Sequence, residues 1–221
     1  GEGLPSGPDL LPIKGLHLAV PRTIVLSDMD ATVSAAFSRT LSVLSEAGAT
    51  VVEIDLPEFS EVAGIYARGG LVAAEAWTWH RSLLEQLADS YDPRVRLRIL
   101  RGRELSAADY IETLQVRRQW IARVEAQIKP YDALIMPTVP IIAPEISPLL
   151  GDDDAFFRAN GLVLRNPTMI NFLDGCGLSI PCHQPGEAPV GLMVAGAAMQ
   201  DRKILAAGLA IETVLKASLR S

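Results

Sequence analysis

Ser179 in Gly-Leu-Ser-Ile-Pro is the residue most easily read as a nucleophile, and a nucleophile needs a base and a group that orients the base. The chain has three histidines. His17 sits in a predicted strand, His80 lies on a helix face beside Trp79 and Arg81, and His183 follows Cys182. The G-x-S-x-G elbow that would expose a serine above a sheet is absent. Without a neighbouring base, Ser179 reads as a small strand residue facing a helix. Cys176, Cys182 and His183 are close in sequence, but three groups without a fourth do not close a structural zinc site. Asp152, Asp153 and Asp154 lack the calcium-loop pattern and read as a solvated turn before a helix. No phosphate-cradling Gly-rich loop occurs. The residues therefore imply no metal, no cofactor and no complete active site.

The elements that carry these residues alternate between β-like runs and amphipathic helices, as in an α/β sheet covered on both faces. Gly15 to Val20 reads as a strand. Asp30 then opens a helix with Val33, Phe37, Leu41 and Leu44 on one face, closed by Gly48. Thr50 to Leu56 is a second strand, parallel to the first through that crossover. Phe59 to Lys129 reads as helical throughout. One helix is predicted over Ile65 to Asp89 with Tyr66, Leu71, Ala74 and Leu83 or Leu84 inward, and a shorter one around Arg94 to Arg101. Ser106 caps a long helix whose stripe is Tyr110, Leu114, Ile121, Val124 and Ile128. A strand follows at Asp132 to Met136, then a Pro-rich loop and a helix over Ala155 to Leu164. Two more strands are predicted at Gly177 to Pro181 and Val190 to Ala195. Asp201 caps a last helix with Ile204, Leu205, Leu209, Ile211 and Leu215 inward.

Composition narrows the function classes. Apolar residues make up 49% and charged residues 21%, which places the chain among soluble globular proteins. The net charge of -6, with no basic stretch, speaks against nucleic acid and anionic membrane surfaces as partners. The longest apolar runs fall far short of the roughly 20 residues of a spanning helix. Gly1 to Pro12 lacks the pattern of a signal peptide, and residues 1–14 read as a linker. Two cysteines make no disulfide framework, which suits a cytoplasmic setting.

Read together, several segments resemble the amidase-signature family. Asp132-Ala-Leu-Ile-Met-Pro-Thr-Val-Pro-Ile-Ile-Ala-Pro144 is similar to its D-x-h-h-x-P-T-x-P-x-x-A-P strand and loop, where h is apolar. Arg165-Asn166, then Asn171 and Leu178-Ser-Ile-Pro-Cys182, resembles its R-N-T-x-x-x-N…G-x-P-A-h-S-h-P stretch. Ala188 to Gly196, followed by Asp201 and Leu205, resembles its P-V-G-h-Q-h-h-G…D…L-L ending. Upstream, Arg98, Gly102, Leu105-Ser106 and Tyr110 fit the R-x-x-x-G…L-S-x-x-x-Y opening of its long helix, and Glu75 fits the A-E-A helix before it. The order holds from Gly15 to Glu212. Pro167, Asp174-Gly175-Cys176 and Met193 stand where the family has Thr, G-x-P and Gln, and Leu164 lies where its amidotransferase branch places an acid.

The resemblance implies a mixed, largely parallel sheet flanked by helices and an enzyme that hydrolyses a carboxamide. It implies a nucleophilic serine, a bridging serine and a lysine base, all in the first half of the full-length enzyme, in and before a Gly/Ser-rich signature region that these residues do not match. Residues 15–221 are thus expected to be the C-terminal part of an amidase domain, partnered by its N-terminal half, binding a small-molecule amide and inactive alone. Thr138 on the Pro-Thr-x-Pro loop, Asn171 and Asp174 are the expected substrate-pocket residues, with Arg165 either on a substrate carboxylate or paired with Asp152 to Asp154. The alternatives are a binding or scaffolding domain that kept the fold, and an enzyme with its own site around Ser179. A half-sheet leaves an open edge and an apolar face, so the chain is expected to self-associate as a homodimer through Pro137 to Pro148 and Asn166 to Pro181.

Overall fold

Short, continuous apolar runs build the centre of the sheet, and the computed structural model describes residues 11–67 and 69–218. In chain order the elements are β1 (His17–Pro21), α1 (Ala31–Glu46), β2 (Thr50–Ile54), α2 (Glu61–Ile65), α3 (Gly70–Leu87), α4 (Pro93–Leu100), α5 (Ala107–Ile128), β3 (Ala133–Pro137), α6 (Ser147–Leu150), α7 (Asp153–Leu173), β4 (Cys176–Pro181), β5 (Gly191–Gly196) and α8 (Asp201–Ser218). They divide between two compact units, one of residues 1–57 with 124–221 and one of residues 58–123. Most of the linker expected at residues 1–14 lies outside the described residues. Among those residues no helix is long and apolar enough to cross a membrane.

The first unit holds a five-stranded sheet in the order β2-β1-β3-β5-β4. β1 pairs in parallel with β2 and with β3, while β5 runs antiparallel to both β3 and β4. The expected mixed α/β sheet is therefore the observed one. On one face Leu18, Val20, Ile135, Leu192 and Val194 are buried against Val33, Phe37 and Leu44 of α1 and Ile204, Ala207 and Ile211 of α8. Each such aliphatic side chain contributes about 1.5–3 kcal/mol on burial. The intervening residues Ala19, Leu134, Met136 and Ala195 point to the other face and are also buried. Both faces being apolar explains why these strands read as continuous hydrophobic runs.

The second unit is all helix. Ser106 and Asp109 form a reciprocal cap at the start of α5: Asp109 N donates to Ser106 Oγ at 3.1 Å, and Ser106 N donates to an Asp109 carboxylate oxygen at 2.9 Å. Trp120 is fully buried, stacks on Phe59 with ring centroids 5.9 Å apart, and donates its indole N–H to Glu58 O at 2.6 Å.

Four expectations change. The helix expected over Ile65 to Asp89 begins five residues later, at Gly70, and α2 ends at Ile65, because Gly69 and Gly70 take φ of 110° and 60°, values that L side chains rarely adopt. The helix expected to end at Leu164 runs to Leu173 with Pro167 inside it, held on course by the buried side chain of Asn166. On α8, Leu205 and Leu209 face outward, and the small residues Ala206, Ala207 and Ala210 face in. Ile142, expected on an exposed patch, is half-buried against the core, while residues 143–148 are exposed, Ile146 being the large apolar side chain among them at 73%.

Asp30 ties α1 to the rest of the sheet unit. Its carboxylate accepts from Val33 N at 2.7 Å as the helix cap and from Ile142 N at 2.6 Å, 112 residues away. Replacing it by Ala removes a cap and a charge-assisted bond, and should lower stability by about 2–4 kcal/mol. Urea unfolding of Asp30→Ala checks this, and Asp30→Asn, which keeps an acceptor, should lose less than half as much.

Candidate functional site

The parallel strands β1 and β3 end side by side, and ligands in open α/β sheets bind beyond such carboxyl ends. Residues 22–30 leave β1 there and residues 138–146 leave β3. One helix bonds carbonyls both of the loop after β1 and of the last residue of β3. Asn166 of α7, fully buried, donates from Nδ2 to Val25 O at 3.1 Å and to Pro137 O at 2.8 Å. Arg165, one position earlier, donates from one guanidinium nitrogen to Ser27 O at 2.6 Å and Val25 O at 3.3 Å. Its Nε bonds Asn166 Oδ1 at 3.2 Å, and its remaining nitrogen lies 3.6 Å from Asp28. Burial pushes Arg165 below its ordinary value, partly offset by Asp28. Arg165 thus pairs with the loop after β1 and not with the acidic turn at Asp152, whose side chain instead caps α7 through Ala155 N.

The clamped loop is strained. Ile24 has φ of 55° and Asp28 of 49°, a region that a β-branched side chain seldom enters. Strain of order 1–3 kcal/mol per residue persists only where surrounding bonds over-determine the backbone, which Arg165 and Asn166 do here.

At the same end, Thr138 and Ser179 meet. Their hydroxyl oxygens are 2.6 Å apart, and Thr138 N donates to Gly191 O at 2.8 Å. A Cβ built on Gly191 would overlap Ser179 Oγ and lie 2.8 Å from Thr138 Oγ1. Gly191 must therefore be glycine for the hydroxyl pair to sit over the sheet. The pair contains donors and acceptors but no base. His183 Nδ1 lies 3.3 Å from both the N and the O of Val190, and His80 Nδ1 lies 2.9 Å from the Tyr91 hydroxyl. Lys203 bonds Asp132 at 3.3 Å and Tyr131 O at 3.2 Å, beside the start of β3.

The three expected pocket residues do not share one place. Thr138 follows β3 at its carboxyl end. Asp174, the C-cap of α7 at φ 61°, precedes β4, whose first residue Cys176 pairs with Gly196 at the opposite end of the sheet. By strand rise the two are about 20 Å apart. Asn171 lies between, on the last turn of α7. An open cavity of about 300 Å³ also occupies that opposite end, lined by Asp132, Leu134, Ala195, Ala198 and Gln200 among others. Two residues of the site escaped the sequence reading. Asn166 was seen only as half of a motif, and Asp30 only as a helix cap, because no local pattern reports a partner more than a hundred residues away. Among the described residues no three His, Cys, Asp or Glu side chains gather as metal ligands would.

Comparison with known proteins places this geometry. The family model described as Amidase matches residues 11–205. A 2-amino-5-chloromuconic acid deaminase of Comamonas testosteroni is 28% identical over 215 residues, covering 97% of this chain and 46% of that protein. A crystal structure of an amidase superposes with a TM-score of 0.75 at 27% identity, covering 96% of this chain and 47% of the other. The allophanate hydrolase of Kluyveromyces lactis, at 20% identity, shares the fold with a TM-score of 0.81 over 94% of this chain and 33% of its own. The chain spans about half the length of the curated relatives it matches.

Truncating Asn166 to Ala takes this donor from Pro137 O and leaves Val25 O with only the longer bond from Arg165; a buried carbonyl left unpaired costs about 1–3 kcal/mol, so the loss should be about 1–4 kcal/mol. Asn166→Asp keeps the shape but offers no donor and should be at least as damaging. Chemical denaturation of both variants reads this directly.

Proposed function

The chain belongs to the amidase family, and from that premise we propose that it supplies the C-terminal half of an enzyme that hydrolyses a carboxamide C–N bond. The supporting motifs are those the family carries late in its sequence: the Pro-Thr-x-Pro loop, Arg165-Asn166, and the Pro-Val-Gly strand. In this reading the two serines and the lysine come from the other half of the fold. A serine oxygen attacks the carbonyl carbon, the nitrogen leaves with a proton, and water releases the acid. This chain holds one wall of the pocket.

The observation that carries the proposal is the hydroxyl pair of Thr138 and Ser179 over Gly191, set at the carboxyl end of β3 beside a strained and clamped loop. Hydroxyls can donate or accept, so they suit a neutral amide, which presents one carbonyl oxygen and one N–H. They cannot take the serine proton, which a base must do. The pocket role is accordingly proposed for Thr138, with Ser179 added. Asn171 and Asp174, near the opposite end, belong to it only if the substrate extends along α7.

The 221-residue chain alone should give no turnover above background with aliphatic or aryl amides, since loss of the nucleophile removes nearly all of a catalytic unit's acceleration. Product release followed by chromatography tests it. Turnover abolished by Ser179→Ala would replace this proposal with an enzyme built on Ser179 itself.

A further inference from the structure

One imidazole nitrogen in the hairpin between β4 and β5 faces two groups that it cannot bond together. His183 Nδ1 lies 3.3 Å from Val190 N and 3.3 Å from Val190 O, just beyond the roughly 2.7–3.2 Å of an ordinary bond, so it sits midway between a donor and an acceptor. Unprotonated, Nδ1 accepts from the Val190 N–H; carrying a proton, it donates to the carbonyl. Val190 is buried, and its carbonyl already accepts from Cys182 N at 2.9 Å. Among the described residues, the charged groups facing the ring are Glu187 on the same hairpin and Arg39 of α1, which bond each other at 2.5 Å. Glu187 also accepts from Gln184 N at 3.0 Å. That bond first, and then Arg39 and His183, hold its carboxyl below the ordinary value against the opposing effect of desolvation. Glu187 therefore stays ionised between about pH 5 and 8, where an imidazole changes its charge, and the change belongs to His183 alone.

We propose that His183 is a pH-sensitive switch of this hairpin: neutral, it accepts the Val190 N–H, and protonated, it releases that N–H and takes the Val190 carbonyl. A buried N–H left without an acceptor is costly, so the peptide joining Pro189 to Val190 must turn when the proton arrives. The turn reaches the hydroxyl pair by a short path. Gly191 follows Val190, its carbonyl accepts from Thr138 N at 2.8 Å, and its bare Cα faces Ser179 Oγ and Thr138 Oγ1. The 2.6 Å contact between those hydroxyls depends on Gly191 keeping its place. Neutral pH therefore sets the pair, and mild acid loosens it. Only the consequence for amide binding rests on the proposed pocket role of Thr138, because the switch itself needs no substrate.

NMR of the labelled 221-residue chain between about pH 5 and 8, reading the imidazole nitrogens and the amide protons, tests the switch, with His183→Gln and His80→Gln beside it. In its neutral state His183 is expected to carry its proton on Nε2. The amides of Val190, Gly191 and Thr138 should shift with the same midpoint as the His183 ring, a titration lost in His183→Gln and kept in His80→Gln. Three results overturn the proposal. The first is a neutral His183 protonated on Nδ1, since the ring then already bonds the carbonyl. The second is a ring that titrates while Val190 and Gly191 stay still. The third is a set of shifts that persists in His183→Gln. The first two are read on the parent chain, so a variant that fails to fold leaves the test intact. No amide is present, so a failed switch leaves the pocket role of Thr138 standing, and a failure to bind amide leaves the switch standing.

Discussion

Two backbone carbonyls, Val25 O and Pro137 O, end up buried where β1 and β3 run out, and a single carboxamide bonds both, with Arg165 also reaching Val25 O. Much of the first unit follows from those bonds. Asn166 has to sit on a helix that crosses this end of the sheet, so α7 cannot stop before Pro167 even though proline removes a helix donor. Arg165 is then fixed one position away and takes up Ser27 O, which holds the loop after β1 in a conformation with two non-glycine residues at positive φ. Asp30, at the far end of the same loop, reaches Ile142 N and locks the loop after β3. Two segments over a hundred residues apart in sequence thereby become one rigid rim.

That rim bears on function because a pocket wall must keep its shape while substrate enters and product leaves. Preorganised groups act only if nothing has to be rearranged when the ligand arrives. Thr138 and Ser179 are anchored in this sense: Thr138 through its own N–H to Gly191 O, and Ser179 by its place in the β4 ladder. The missing side chain at Gly191 gives the pair its room. The hydroxyl pair itself has no base beside it, and the division of labour proposed between this chain and the other half of an amidase rests on that.

The sheet was legible because its strands are short apolar runs bounded by Gly, Pro and Asp, and because α1 begins at an aspartate that caps it. Its strand order, with β5 inserted antiparallel between β3 and β4, is not a local property, and the resemblance implied only that the sheet is mixed. Helix limits failed where local rules and tertiary bonds disagree. Pro167 signals a break that Asn166 overrides, while Gly69-Gly70 makes a break that the apolar periodicity on either side conceals. The site was half legible: Thr138 stood out on its proline-rich loop, but its partner Ser179 lies 41 residues on, and only strand pairing brings them together. Trp120, fully buried on α5, fell outside the expected stripe although it lies four residues before Val124 and on the same buried face.

The claim at the centre of this account is that the carboxyl ends of β1 and β3, not the open cavity at the other end of the sheet, receive the amide. Amide-proton NMR shifts on titrating a small aliphatic amide into the labelled chain test it most directly. Shifts confined to Thr138, Ser179, Gly191 and the loop at Ile24 to Asp28 are the predicted result. Shifts centred on Asp132, Ala198 and Gln200, with Thr138 and Ser179 unmoved, would contradict it.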